Sequence, residues 1–238
     1  MATKNGTDIT LLSAIAVQTE IKELLPRFRQ EQDVGVHVNY DVNPAVAKRV
    51  MGGETFDVGL NNPWYVEEMI DSGRVIPDVH VPFGRVPLAI GAAGPRPKEI
   101  ISSHDAVSTL LAESNSIAYT DIGTSGRTFL RAIEMMGLKR QISDRLRPMG
   151  AGEPPIAAAQ GRVQYAIAPL SRIIAAPGVS PVATFPPALG LNIDMSMFIH
   201  IGTGHLDLAK LLIRFLSDPS HDAYLLSHGI SRYATTKA

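Results

Sequence analysis

Cysteine is absent from the 238 residues, which excludes disulfides, thiolate metal sites and cysteine nucleophiles. No apolar run is long enough to span a bilayer, and Met1 to Asp8 carry no apolar signal-peptide core. The chain as it stands therefore reads as cytoplasmic, and as periplasmic if a leader has been removed; membrane insertion is not expected. Charge of either sign is not in excess: the net charge is −1 and the two signs are interspersed, which argues against a nucleic-acid groove or a polybasic membrane patch. The seven histidines (His37, His80, His104, His200, His205, His221 and His228) show no HExxH or other ligand spacing, so no metal site is expected. His200 lies in an apolar run and reads as a satisfied core residue. No serine stands in a Gly-x-Ser-x-Gly elbow, and no Ser-His-Asp ordering can be argued. Nothing calls for a cofactor.

What is present is 45% hydrophobic residues with 20 glycines and 17 prolines, the composition of a compact, turn-rich fold. Ile9–Ala14 reads as a strand buried on both faces. Val17, Ile21, Leu24, Leu25 and Phe28 then recur at helical spacing. Val36–Tyr40 is the next strand, Ala45–Met51 a helix ended by Gly52 and Gly53, Asp57–Leu60 a third strand, and Pro63 opens a helix that stops at Gly73. This β-α-β-α-β-α order predicts a parallel, doubly wound sheet. After an apolar strand at Val86–Ala92, a second set follows: a helix over Asp105–Leu111, a strand at Ser116–Tyr119, helices over Thr124–Met136 and Pro154–Gln160, and a strand at Tyr165–Ala168. Val179–Pro187 reads as a connection, Met195–Ile201 as a strand, and Leu206–Leu216 and Ser220–Leu226 as closing helices. Crossings near residues 85–92 and 185–195 suggest that the chain leaves a first lobe and returns to it, with lobe one at 1–85 plus 192–238 and lobe two at 86–191.

Several stretches resemble the molybdate-binding type of solute receptor. They are Leu11–Gln18 before a helix ending in Phe28, Asn43–Val58, Asn62-Pro63-Trp64-Tyr65 with Met69 and Gly73, Asp121–Arg127 before Gly137-Leu138, and Phe215–Pro219 with His228-Gly229-Ile230. The resemblance covers nearly the whole chain. It implies the type II periplasmic-binding-protein fold: two doubly wound α/β lobes joined by two crossover strands, closing on a ligand at helix N-termini, where backbone N–H groups and the positive dipole end favour anions. The receptors' first two loops present serine hydroxyls to the oxyanion, and a later strand presents a tyrosine. The matching positions here are Ala16, Asn43 and Pro169, so the resemblance implies an anion other than molybdate.

The candidate ligand residues are Ser13, Ala16, Asn43, Asn61, Asn62, Arg85, Thr124, Ser125, Arg127 and Pro169. Ser13 ends a strand, where a hydroxyl touches ligand or caps the next helix. Asn43 reads as a helix N-cap that can also donate to ligand. Asn61 and Asn62 follow a buried strand directly; their carboxamides suit hydroxyl or carboxylate groups, and turn formation is the alternative. Gly123-Thr124-Ser125-Gly126-Arg127 opens a helix after a strand, so amides, hydroxyls and a guanidinium can converge on an anion; capping by Thr124 is the alternative. Arg85, at the first crossing, can clamp a carboxylate or form a surface ion pair. Trp64 reads as a packing residue, with a place at the border of the cleft as the alternative, and the Met135-Met136 pair reads as helix core.

The expected function is binding of a small anionic solute, an oxyanion or organic carboxylate, in a cleft between the lobes; if the protein is exported, an ABC transporter is its partner. The alternative is a cofactor-free isomerase of a carboxylate substrate, because aconitate isomerase is similar to this class; its candidate bases are Asp41, Asp121 and Glu153.

Overall fold

The computed structural model describes residues 8–234. Residues 1–7, on which the reading of a leader-free start rests, lie outside this range. The chain divides into two compact units. The first holds the residues up to Gly84, Asp194–Leu226 and those from Ser231 on; the second holds Arg85–Ile193 and Ser227–Ile230.

The first unit opens with β1 (Ile9–Ala14), a 3-10 turn at Ile15–Val17 and α1 (Gln18–Gln32). Asp33, in the left-handed conformation at φ 53°, ends the helix. β2 (Val36–Asp41), α2 (Asn43–Met51), β3 (Val58–Asn61) and α3 (Pro63–Asp71) follow. β1 runs parallel to β2 on one side and β3 on the other, with Ser13 opposite both Tyr40 and Leu60. All four residues of β3 are buried, as are five of the six in β1, which is why both read as unbroken apolar runs and not as alternating ones. The core of this unit gathers Leu12, Val46, Val50, Phe56, Val66, Met69 and Phe198. Gly59 lets the Phe198 ring pack directly on β3, since a Cβ there would sit 2.1 Å from that ring.

β4 (Val75–Ala93) begins well before the expected Val86. Pro77 and Pro82 hid its first half, because proline donates no ladder hydrogen bond and reads as a break. The chain passes from the first unit to the second between Gly84 and Arg85, inside this strand.

The second unit continues with α4 (His104–Ala112), capped by the Ser103 hydroxyl, then β5 (Ile117–Thr120) and α5 (Thr124–Met135). α6 (Lys139–Ile142), β6 (Leu146–Met149), α7 (Glu153–Ala159), β7 (Tyr165–Pro169), α8 (Leu170–Ile174) and β8 (Val179–Thr184) complete it. β5 pairs in parallel with β6 and β7, while β4 pairs antiparallel with β7 and β8. Val179–Thr184 is thus a strand and not the connection its prolines suggested. Its burial alternates, with Val179, Pro181 and Ala183 inward, the period of a strand with one face on the core. The core here is built from Ala89, Ala118, Ala157, Ala158, Ala166 and Ala168 around Ile173; such small side chains let α7 lie close on the sheet.

The chain returns to the first unit between Ile193 and Asp194, within β9 (Asn192–His200), which runs antiparallel to β3. α9 (Leu206–Ser217) and α10 (Asp222–Ser227) close the fold. Two packing expectations fail. Trp64 is 42% exposed, and in the methionine pair only Met136 is buried, Met135 being 51% exposed.

Candidate functional site

In the first unit β1, β2 and β3 are parallel, so their carboxyl ends share one edge, and the helices that follow start there. Ser13 is fully buried and its Oγ donates to the neighbouring Ala14 carbonyl at 3.2 Å, capping no helix. Ala16, in the 3-10 turn after β1, is buried and presents no hydroxyl.

Asn43 is not the N-cap expected. The helix begins at Asn43 itself, Val42 takes the capping position, and no side chain caps it. Instead Asn43 Nδ2 donates to Asn61 Oδ1 at 2.9 Å and approaches Met195 Sδ at 3.5 Å. Asn61 Nδ2 returns a bond to the Asn43 carbonyl at 3.0 Å, and Asn61 Oδ1 also accepts from the Asn62 amide at 2.8 Å. Asn62 Nδ2 donates to the Asp194 carbonyl at 2.7 Å. Three buried carboxamides therefore pin the end of β3 to the start of α2 and to β9, each donating to a protein acceptor. Asn62 sits at φ −65°, ψ 143°, so it does not serve a left-handed turn. Pro44 and Pro63, in the first turns of α2 and α3, remove one amide donor each from the helix ends that could face an anion. Tyr233 adds a further brace, its hydroxyl 2.7 Å from Ser196 Oγ and donating to the Met195 carbonyl at 3.1 Å. Asp194, Met195, Ser196 and Tyr233 lie more than 130 residues from the asparagines, and no local sequence signal marks them as partners.

In the second unit β5, β6 and β7 are parallel, and α5 starts at the carboxyl end of β5. Its N-cap is Gly123, which has no side chain to cap with, so Thr124 is not the cap either. Thr124 and Gly126 are buried, Ser125 is half-buried and Arg127 exposed. The Arg127 amide donates to the Gly123 carbonyl at 3.3 Å; the amides of Thr124, Ser125 and Gly126 precede the helical ladder. A Cβ on Gly126 would come within 1.7 Å of the Thr120 carbonyl oxygen, so only glycine lets this first turn rest on the strand end. The Asp121 amide donates to the Met149 carbonyl at 3.1 Å, tying the ends of β5 and β6 together. Pro169 closes β7, buried, opposite Leu88 of β4. Arg85 is half-buried on β4, at the first position of this unit.

The candidate bases have structural partners or lie in the open. Asp41 accepts from the Val42 amide at 2.9 Å and faces Arg49 at 3.5 Å. Glu153 is exposed and accepts from the Gly150 amide at 3.0 Å. Asp121 is exposed.

At the opposite, amino end of β3, Asp57 accepts from the Thr10 amide at 2.7 Å, Thr203 Oγ1 at 2.6 Å and His205 Nδ1 at 3.2 Å. Burial alone would raise its pKa, but these hydrogen bonds outweigh burial and hold the carboxyl below its ordinary range. His200 is buried against Phe56 and accepts from the Gly202 amide at 3.1 Å. Burial, and next the charge of Arg74, lower its pKa, as fits a neutral core residue. Among the described residues no group of three or more His, Asp or Glu side chains is placed to hold a metal ion, and no helix is long and apolar enough to cross a membrane.

Two α/β units, each with parallel strands whose carboxyl ends lead into helix starts, joined by two strands that run through both, define the type II periplasmic-binding-protein fold. Residues 9–231 match the family described as bacterial extracellular solute-binding protein, and the chain belongs to that family. Among characterised relatives, an aconitate isomerase from a Pseudomonas species is 26% identical over 225 residues, 91% of this chain and 85% of the relative. Among solved structures, the periplasmic molybdate-binding protein of Azotobacter vinelandii superposes with a TM-score of 0.80 at 17% identity, covering 96% of this chain and all of that one. A sulfate-binding protein of Mycobacterium tuberculosis superposes with a TM-score of 0.74 at 17% identity, covering 94% and 86%. At these identities the structures establish the fold.

Proposed function

We propose that this protein binds a small organic anion carrying carboxylate groups, and that the N-terminal turn of α5 grips one of them. The observation that carries this reading is the turn itself. Gly123 leaves the helix uncapped by a side chain, Gly126 seats the first turn on the Thr120 carbonyl, and Thr124 and Ser125 set hydroxyls beside the leading amides. Such an end offers several donors and about half a positive charge to an anion. The exposed Arg127 guanidinium, one step along, matches a carboxylate in a two-point contact.

A bare tetrahedral oxyanion such as molybdate fits less well. Of the positions matched to the receptors' hydroxyls, Ala16 and Pro169 bear none, and the Asn43 amide donates to Asn61. Each missing donor to a desolvated anion weakens binding by about 1.5–3 kcal/mol. If the protein works outside the cytoplasm, as its family's description implies, an ABC transporter would receive the ligand.

Titration calorimetry with di- and tricarboxylates tests the reading. A carboxylate should bind, and Thr124→Ala with Ser125→Ala should weaken it by about tenfold or more, the equivalent of 1.4 kcal/mol. Full affinity in that double variant would place the anion elsewhere.

A second reading, isomerisation of the bound carboxylate, is favoured by the aconitate isomerase relative. A proton shift needs a base beside a carbon acid and donors to the enolate-like intermediate; α5 would supply the donors, and Asp121, between β5 and α5, is the candidate base that leads into that helix. Incubation with trans-aconitate in deuterium oxide separates the readings. Carbon-bound deuterium in the recovered acid supports isomerisation, and an unlabelled acid at high protein concentration leaves binding alone.

A further inference from the structure

We propose that the groove between α1 and β2 in the first unit is a second ligand site, built for an organic dicarboxylate with an apolar spacer. The site is independent of the α5 turn. Its cavity measures about 420 Å³ and is open on one side, within the range of small-molecule sites.

One wall is a single face of α1. Lys22, Leu25, Pro26 and Arg29 are spaced i, i+3, i+4 and i+7, which stacks them along one side of a helix. The face thus carries a cation at each end and apolar groups between. The other wall is β2, whose Val36, Val38 and Tyr40 point the same way by the period-two rule. β2 pairs with β1 alone among the described strands. Its apolar face is only half-buried at all three positions, so α1 leaves uncovered a strip that the core of an ordinary doubly wound sheet would close over.

The two charges mark the ends of the groove. The Lys22 ammonium lies 5.6 Å from the centroid of the Tyr40 ring, at the carboxyl end of β2. Arg29 follows seven residues further along a helix that runs back against the strand, which sets the two backbone positions roughly 10 Å apart along the axis at 1.5 Å per residue. Neither cation forms an ion pair among the described residues, whereas Arg27 on another face of α1 pairs with Glu31. Burial, and next the carboxylate of Glu20, push the pKa of the Tyr40 hydroxyl up, so the phenol stays neutral and adds no repulsion. Glu20 itself is buried and does not line the groove. Two cations with no ion-pair partner among the described residues, at the two ends of an apolar strip, match two carboxylates joined by a hydrocarbon chain, and a metal ion or an amine would meet repulsion.

Sebacate is the probe. In amide-resolved NMR it should shift the signals of residues 22–29 and 36–40 in a saturable way. Lys22→Ala and Arg29→Ala, both at exposed positions, should each weaken it by about tenfold. Succinate, with both charges but a spacer of only two methylenes, should give no saturable shift there at the same concentration. Decanoate, with one carboxylate, should bind about tenfold more weakly than sebacate. The proposal is overturned by absence of saturable shifts at these amides, by equal sebacate affinity in the Lys22→Ala, Arg29→Ala double variant, or by decanoate binding as tightly as sebacate. Binding of an acidic, extended peptide to this edge without sebacate binding would also overturn it, and would make the groove a protein-docking strip.

Discussion

Replacing Asn61 by Ala probes the asparagine cluster at its centre. Asn61 makes three buried hydrogen bonds, accepting from Asn43 Nδ2 and the Asn62 amide and donating to the Asn43 carbonyl. Truncation leaves two donors and one acceptor without partners. A buried group left unsatisfied costs about 1–3 kcal/mol, and because the three share one network their effects do not simply add. A loss of about 3–5 kcal/mol follows, large against the 5–15 kcal/mol of a typical native state. Urea unfolding followed by Trp64 fluorescence reads this directly, since Trp64 is the only tryptophan and stands two residues beyond the cluster on α3. Ser13→Ala is the control: its hydroxyl makes one 3.2 Å bond to an adjacent carbonyl and should cost about 1 kcal/mol or less. Asn61→Asp keeps both accepted bonds but sets an anionic oxygen against the Asn43 carbonyl, so its deficit should shrink as pH falls and the carboxyl regains a proton to donate. A loss below about 1 kcal/mol for Asn61→Ala would refute the view that these amides hold β3, α2 and β9 together.

Gly126→Ala should lift the first turn of α5 from the Thr120 carbonyl, because a backbone oxygen 1.7 Å from the new Cβ cannot rotate away. The expected result is about 1–3 kcal/mol of lost stability together with weakened anion binding in calorimetry; unchanged values for both would contradict the tight seating. Acid should destabilise the protein in two stages. Burial lowers the pKa of His80, His200 and His221 in the fold, so the unfolded chain takes up protons first as pH falls below about 6.5, and up to about 1.4 kcal/mol per pH unit is lost for each histidine until its folded pKa is reached. The hydrogen bond from Arg49 holds Glu54 low, and hydrogen bonds outweigh burial at Asp57; the stability these carboxylates contribute is present above about pH 4 and is lost below it. Urea midpoints at pH 7.5, 5.5 and 3.5 check both stages, and a flat profile from 7.5 to 5.5 would remove the histidines from the account.

The first unit is legible in the sequence because β1 and β3 are buried on both faces, β2 alternates with period two, and its helices keep one apolar stripe. Ile9–Ala14, Val36–Asp41 and the helix after Pro63 announce themselves in that way. What stays hidden has local causes. Proline masks the first half of β4 and all of β8, though edge and crossover strands tolerate it. β6 reads Leu-Arg-Pro-Met, its two middle residues are exposed, and so it shows no apolar face. α8 follows β7 with no intervening loop, leaving no break to find. At the site, Asn61 and Asn62 stand out as polar residues directly after a buried strand, and the Gly-flanked Thr124-Ser125 pair as a helix start. The bonds that tie the asparagines to β9 could not be read, because Asp194 and Met195, the latter braced by Tyr233, reach them from the other end of the chain.

The central claim, that this scaffold holds a carboxylate where related folds hold a tetrahedral oxyanion, is tested most directly by thermal unfolding against a panel of di- and tricarboxylates, sulfate and molybdate. A true ligand at about a hundred times its dissociation constant adds roughly 2.7 kcal/mol, which for a chain of this size raises Tm by about 5–10 °C. The account predicts such a saturable rise with a carboxylate, lost in the Thr124→Ala, Ser125→Ala double variant, and none with molybdate. A saturable rise with molybdate and none with any carboxylate would contradict it.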